Sequence, residues 1–178
     1  MKTFRLPKEL LLELEKDAQE EGTTVNALVS TILIRYAEWG SFERKLGVLS
    51  VTRPVLATLL ESADPKKLVV VARRRLPTGW RNMALFKYHD VSPESMIRLH
   101  SLITKYGLAA ALDVRREEGE YVISCSHMLG RNFSVMLKEG WDELIRTTYH
   151  VQPEIRVDDE LFTIRFSVPD PDSTIVGR

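Results

Sequence analysis

The chain has 178 residues, 44% of them hydrophobic, enough for a small module plus one compact domain with its own core. Its 25 Lys and Arg balance 25 Asp and Glu, which excludes bulk electrostatic attraction to nucleic acid or to a membrane. A single cysteine, Cys125, excludes an intrachain disulfide, and no apolar run approaches the length that spans a bilayer.

Lys2 to Leu6 alternates polar and apolar side chains. With a period of two, Phe4 and Leu6 share one face of a strand while Thr3 and Arg5 share the other. A lone strand has no ladder to join, so a twofold dimer is the cheapest way to complete it. Pro7 suits the first turn of a helix, where its missing amide has no intrahelical use. The helix expected over residues 8–21 carries Leu11, Leu14 and Ala18 on one stripe, widened by Leu10 and Leu12, and acids on the other side. Gly22 fits a left-handed helix end, and Thr23 or Thr24 fits the cap of a second helix running to about Trp39. That helix places Leu28, Val29, Ile32, Leu33 and Tyr36 on one face, more apolar surface than a thin helical hairpin covers alone. Burial in a dimer is expected.

Thr3-Phe4-Arg5-Leu6-Pro7, followed by the turn Gly22 to Asn26 between two helices, resembles the start of the ribbon-helix-helix family of the Arc and MetJ repressor type, over residues 1–46. The resemblance implies that two strands pair across a dimer and that the ribbon enters the major groove of double-stranded DNA. Thr3 and Arg5 would then face base edges, Arg5 forking onto a guanine. Thr23, Thr24, Val25 and Asn26 would hold a phosphate at the helix start, with Lys2 and Lys8 adding phosphate contacts. Charge gives the opposing reading, a solvated hairpin, some weight. Residues 1–47 hold seven Lys or Arg against eight Asp or Glu, so the positive charge is local to Lys2, Arg5 and Lys8.

A boundary is expected near Gly40-Ser41, with Gly47 as a second flexible point. Residues 47–82 then form a linker helix and a basic segment. Ser50 or Thr52 caps the helix, Pro54 sits in its first turn, Val55, Leu56, Leu59 and Leu60 are buried, and Asp64-Pro65 stops it. Leu68 to Ala72 suits a strand, or a helix if it continues from the segment before. Lys66, Lys67, Arg73, Arg74 and Arg75 are five basic residues within ten, with Trp80 and Arg81 as candidate stacking groups, though a solvated edge is the favoured reading.

Residues 83–168 read as strand Ala84–Tyr88, helix from Ser92-Pro93-Glu94 bearing Met96, Leu99, Leu102 and Ile103, strand Leu108–Arg115, turn Glu117-Glu118-Gly119, strand Glu120–His127, a long helix through Phe133, Met136, Leu137, Trp141, Leu144 and Ile145, and a closing strand Leu161–Val168. Ile155 to Val157 is a further strand candidate, paired with the last one across Asp158-Asp159-Glu160. The expected class is α+β, a ribbon-helix-helix module followed by a ferredoxin-like βαββαβ domain. Residues 169–178 read as a frayed tail. A sheet domain behind such a module is similar in layout to nickel-responsive regulators, which points to an oligomerising or sensing domain. Cys125 and His127 share a strand face and are the candidate metal ligands, without a second spaced pair to complete a centre. The segment His127 to Ser134 is a second candidate, for an anion or small ligand on free amides. Phosphate-loop, HExxH and Gly-x-Ser-x-Gly motifs are absent, so the chain reads as a non-enzyme without a cofactor.

The expected function is a cytoplasmic, site-specific DNA-binding transcriptional regulator, a dimer or tetramer with a C-terminal domain that oligomerises or senses a small-molecule or metal effector. The absence of an apolar leader supports that compartment. The alternative is a non-DNA-binding interaction or antitoxin-like protein that uses the same fold for dimerisation.

Overall fold

The computed structural model describes residues 5–108 and 110–168, and the chain divides into two units, residues 1–48 and 49–178.

In the first unit, α1 (Lys8–Glu20) and α2 (Val25–Arg35) form a hairpin. Gly22, at φ +65°, closes α1 while the amides of Gly22 and Thr23 return to the carbonyls of Gln19 and Ala18. The helices meet through Leu14, Ala18 and Leu28, with Val25 and Val29 packed against them. Beyond Arg35 the helical path runs through a π-helical turn, Tyr36–Gly40, into α3 (Ser41–Leu46). A Cβ on Gly40 would lie 3.3 Å from the Tyr36 ring, so this glycine serves close packing and is not the expected boundary. The break comes at Gly47, at φ +65°.

The ribbon expected at the N-terminus is not found. Lys2, Thr3 and Phe4 lie outside the described residues, Arg5 and Leu6 are not in a strand, and among the described residues no strand precedes Ala111. The carbonyl of Pro7 already accepts the amide of Leu11, so helix begins at Lys8 and leaves Arg5 and Leu6 without a ladder.

The second unit begins with α4 (Arg53–Glu61), where Leu60 is buried but Val55 and Leu59 are exposed, against expectation. Asp64 then opens the next helix by accepting the Lys66 amide at 2.8 Å. That helix, α5, runs 24 residues from Pro65 to Tyr88 and absorbs both the basic segment and the strand expected at Ala84–Tyr88. It continues through Pro77, buried like Ala72, Trp80 and Ala84 on the face it turns inward. Packing there overrides the proline's lost hydrogen bond. After His89, left-handed at φ 58°, the Ser92 side chain caps α6 (Pro93–Leu102), and a second π-helical turn follows, Ile103–Leu108.

The sheet holds β1 (Ala111–Glu117), β2 (Glu120–Ser126), β3 (Glu154–Val157) and β4 (Leu161–Phe166) in the order β1-β2-β4-β3, every neighbouring pair antiparallel. Glu118 and Gly119, both at positive φ, make the two-residue turn of the β1–β2 hairpin. Helix α7 (Arg131–Thr148) stands between the two hairpins in sequence. The order in this part is therefore ββαββ, which corrects the ferredoxin-like expectation. Its first strand is helix, and Glu154–Val157 is a full partner of β4.

One sheet face is apolar. In register, Leu112 faces Cys125 and Cys125 faces Phe162, while Ile123 pairs with Ile164 and Tyr121 with Phe166. These meet the buried side of α7, made by Phe133, Leu137, Trp141, Leu144 and Ile145. α5 lies against α7 at Gly140, where an added Cβ would come within 2.8 Å of Leu76 Cδ1 and 2.9 Å of a Trp80 ring carbon. The other sheet face is polar, with Arg165 between Glu117 and Glu120 at 3.6 and 3.5 Å. Among the described residues no helix is long and apolar enough to cross a membrane.

Candidate functional site

The predicted DNA-contacting residues fall at two places in the first unit. Arg5 and Lys8 are exposed at the start of α1. Thr23 to Asn26 occupy the turn at its far end, a separation of about 20 Å along the axis of this 13-residue helix. A single chain therefore does not bring the two groups together. At the turn, Thr24 Oγ1 accepts the Ala27 amide at 3.2 Å, so Thr24 is the helix cap. The Thr23 amide is committed to the Ala18 carbonyl, which removes it as the expected phosphate donor.

The basic run on α5 is likewise divided by the structure. Arg73 Nε donates to the buried Glu139 carboxylate at 2.5 Å, and this hydrogen bond, with the carboxylate's charge, raises the guanidinium pKa. Trp80 is buried between α5 and the rest of the core, so it is not a stacking platform for bases.

Cys125 and His127 also resolve into separate surroundings. Burial pushes the Cys125 thiol up to about 11, which keeps it protonated at neutral pH. His127 accepts the Leu129 amide on Nδ1 at 3.3 Å, so Nε2 carries the proton and donates to Ser134 Oγ at 2.8 Å. Ser134 Oγ in turn donates to the Asp159 carbonyl at 3.3 Å. Both ring nitrogens are thus used, Nε2 in tying the strand end to α7 and Nδ1 in the turn that follows the strand, and burial lowers the His127 pKa. Among the described residues no group of three or more His, Cys, Asp or Glu is placed to hold a metal.

The site that does converge was not marked by any motif. Between the helices and the apolar sheet face lies a cavity of about 170 Å³. The sheet supplies the in-register row Leu112, Cys125 and Phe162. Leu76 and Trp80 come from α5, Ile103 and Thr104 from the π-helical turn, and Phe133, Met136, Leu137 and Trp141 from α7. The remaining wall is His100 of α6, 6% exposed.

His100 is held on three sides. Its ring lies edge-on to Trp80, with centroids 4.5 Å apart, and tilted against Trp141 at 4.2 Å. Nδ1 lies 2.8 Å from the Met96 carbonyl. A carbonyl only accepts, so Nδ1 carries the proton and Nε2 presents a lone pair. That Nε2 is buried and has no hydrogen-bond partner among the described residues. Burial lowers the imidazole pKa to about 4, so the ring is neutral at neutral pH. The arrangement is a mostly apolar chamber with one buried, unpartnered acceptor in its wall, bordered also by the Thr104 hydroxyl and the Cys125 thiol.

One sequence signal could have found this site: His100 follows Met96 by one helical turn and precedes Ile103 by three residues, which puts a polar ring on the buried stripe of α6. The companion residues come from six other elements, and local pattern does not join them.

Comparison with protein-family models finds no match, and comparison with curated proteins finds none.

Proposed function

We propose that this chain is a DNA-binding transcriptional regulator that acts as a dimer, with a second unit that senses an effector or extends the assembly. The observation that carries the reading is the aliphatic surface on the helical hairpin. Leu10, Leu11 and Leu12 on α1 and Ile32, Leu33 and Ile34 on α2 are exposed, Leu12 and Leu33 by 54% each, while Leu14 and Leu28 are the leucines buried in the hairpin's own contact. A second copy is the natural cover for such a surface.

Dimerisation also answers the separation found along α1. Two copies supply two sets of Arg5 and Lys8 and two α2 starts with the amides of Val25 and Asn26, a twofold arrangement suited to a palindromic duplex. Lys2 and Thr3 lie within three positions of Arg5 in the sequence and belong to the same proposed contact. The near-neutral charge of this unit implies weak non-specific binding, so base contacts such as Arg5 to guanine carry the selectivity. The single buried cysteine suits a reducing, cytoplasmic setting.

Selection of bound fragments from a random DNA pool, followed by fluorescence anisotropy, tests the reading. The wild type is expected to bind selected fragments in a salt-sensitive manner, and Arg5→Ala to weaken that binding by about tenfold or more. If wild type and Arg5→Ala are equally indifferent to every fragment, the regulator reading fails. The interaction or antitoxin-like alternative then takes its place.

A further inference from the structure

We propose that the cavity walled by His100, Trp80 and Trp141 binds a small aromatic or cyclic molecule that carries a single hydrogen-bond donor, such as a phenol-type hydroxyl. The proposal deepens the sensory part of the reading above and rests on it for its biological sense, but it does not depend on DNA binding.

Size comes first. A cavity near 150 Å³ with apolar walls takes up benzene, and this one measures about 170 Å³. The room is that of one ring with a small substituent. Shape and surface come second: Trp80, Phe133, Trp141 and Phe162 offer ring faces and edges, which favour an aromatic guest over a flexible chain.

Polarity decides the class. Nε2 of His100 is buried without a partner among the described residues, and its tautomer is set by the Met96 carbonyl, so it can only accept. An unsatisfied buried acceptor is costly, and a guest with an O–H or N–H removes that cost on binding. A guest whose polar group only accepts, such as a ketone or a carboxylate, would set lone pair against lone pair at Nε2 and leave that buried acceptor unsatisfied. The neutral walls add no cation for an anion to meet. Cys125, protonated and buried, lines the opposite wall and needs no ionised partner. Ile103 and Thr104 of the π-helical turn border the same space, and π turns recur where helices frame binding sites.

The test uses the full-length protein and two probes of matched size, phenol and toluene, which differ by a hydroxyl in place of a methyl. Calorimetry is expected to give one phenol per chain, bound at least about fivefold more tightly than toluene. The ¹⁵N resonance of His100 Nε2 is expected to shift with phenol and not with toluene. His100→Phe keeps a ring between the two tryptophans and is expected to bring phenol down to the affinity of toluene. Leu112→Phe, which adds bulk from the sheet side, is expected to abolish both. Equal binding of phenol and toluene by the wild type, or no binding of either up to their solubility, would overturn the proposal without recourse to any variant. Because no DNA is present, a failed Arg5 experiment leaves a positive phenol result standing, and a failed phenol titration overturns the ligand assignment alone.

Discussion

The two units bury their apolar residues to different extents. In residues 49–178 the large side chains close on one another: Met96, Leu99, Trp141, Leu144, Ile145, Phe162 and Ile164 are fully enclosed within a single chain. In residues 1–48 the α1–α2 contact rests on Leu14, Ala18 and Leu28, and the aliphatic run Ile32-Leu33-Ile34 is left outside. The larger unit holds an extensive enclosed core while Val70, Val71, Leu85 and Phe86 of α5 stay exposed, and the smaller leaves most of its aliphatic surface to the second copy proposed above. A mutation is therefore expected to act on folding in one unit and on association in the other.

The sharpest way to break that contrast is a pair of substitutions. Trp141→Ala removes the ring that meets both Trp80 and His100, and is expected to cost about 3–5 kcal/mol in urea denaturation of the larger unit. Leu33→Glu is expected to leave that transition unmoved and to shift sedimentation from dimer to monomer. If Leu33→Glu lowered the main unfolding midpoint while leaving the oligomer intact, the division of roles would be wrong.

Acid offers the next largest effect. The His100 pKa falls from an ordinary value near 6.5 to about 4 on folding, so between those values the unfolded chain binds more protons than the folded one. Stability is thus held above pH 6.5 and lost as pH falls toward 4, by about 3 kcal/mol for this one buried group. His127 is shifted in the same direction, also by burial. Comparing wild type with His100→Phe from pH 7 to 4 isolates the His100 share, because His127 is present in both. Parallel curves would show that His100 does not titrate as its burial requires.

The smallest expected effect lies in the hairpin. Thr24→Ala removes the cap on α2 and should cost about 1 kcal/mol, read as faster hydrogen exchange of the α2 amides with the sheet unaffected.

Local signals in the sequence carried the hairpin turn, the two β hairpins and α7. Gly22 followed by Thr24 marks a helix end and a cap, and Glu118-Gly119 marks a tight turn, because each depends on neighbouring residues only. The two large departures come from tertiary packing. The strand expected at Ala84–Tyr88 is instead the end of α5, which continues through Pro77 because Pro77 and Trp80 are buried and Gly140 lets α7 approach closely. A strand at Thr3 to Leu6 needs a ladder, and alternation alone does not supply one. The candidate site shows the same division. Arg5, Lys8 and Thr24 stand out in sequence because they are polar residues at element ends. His100, Trp80 and Trp141, separated by up to 61 positions in the chain, become a site only when three helices meet.

The two borders of the sheet carry a consequence for assembly. β1 presents Asp113, Arg115, Arg116 and Glu117 in five consecutive positions, and β3 is four residues long with Glu154 and Arg156 paired at 2.8 Å. Short or heavily charged borders discourage another chain from adding its backbone alongside. Both borders are thus poor templates for strand addition, which disfavours growth of the four strands into a fibril.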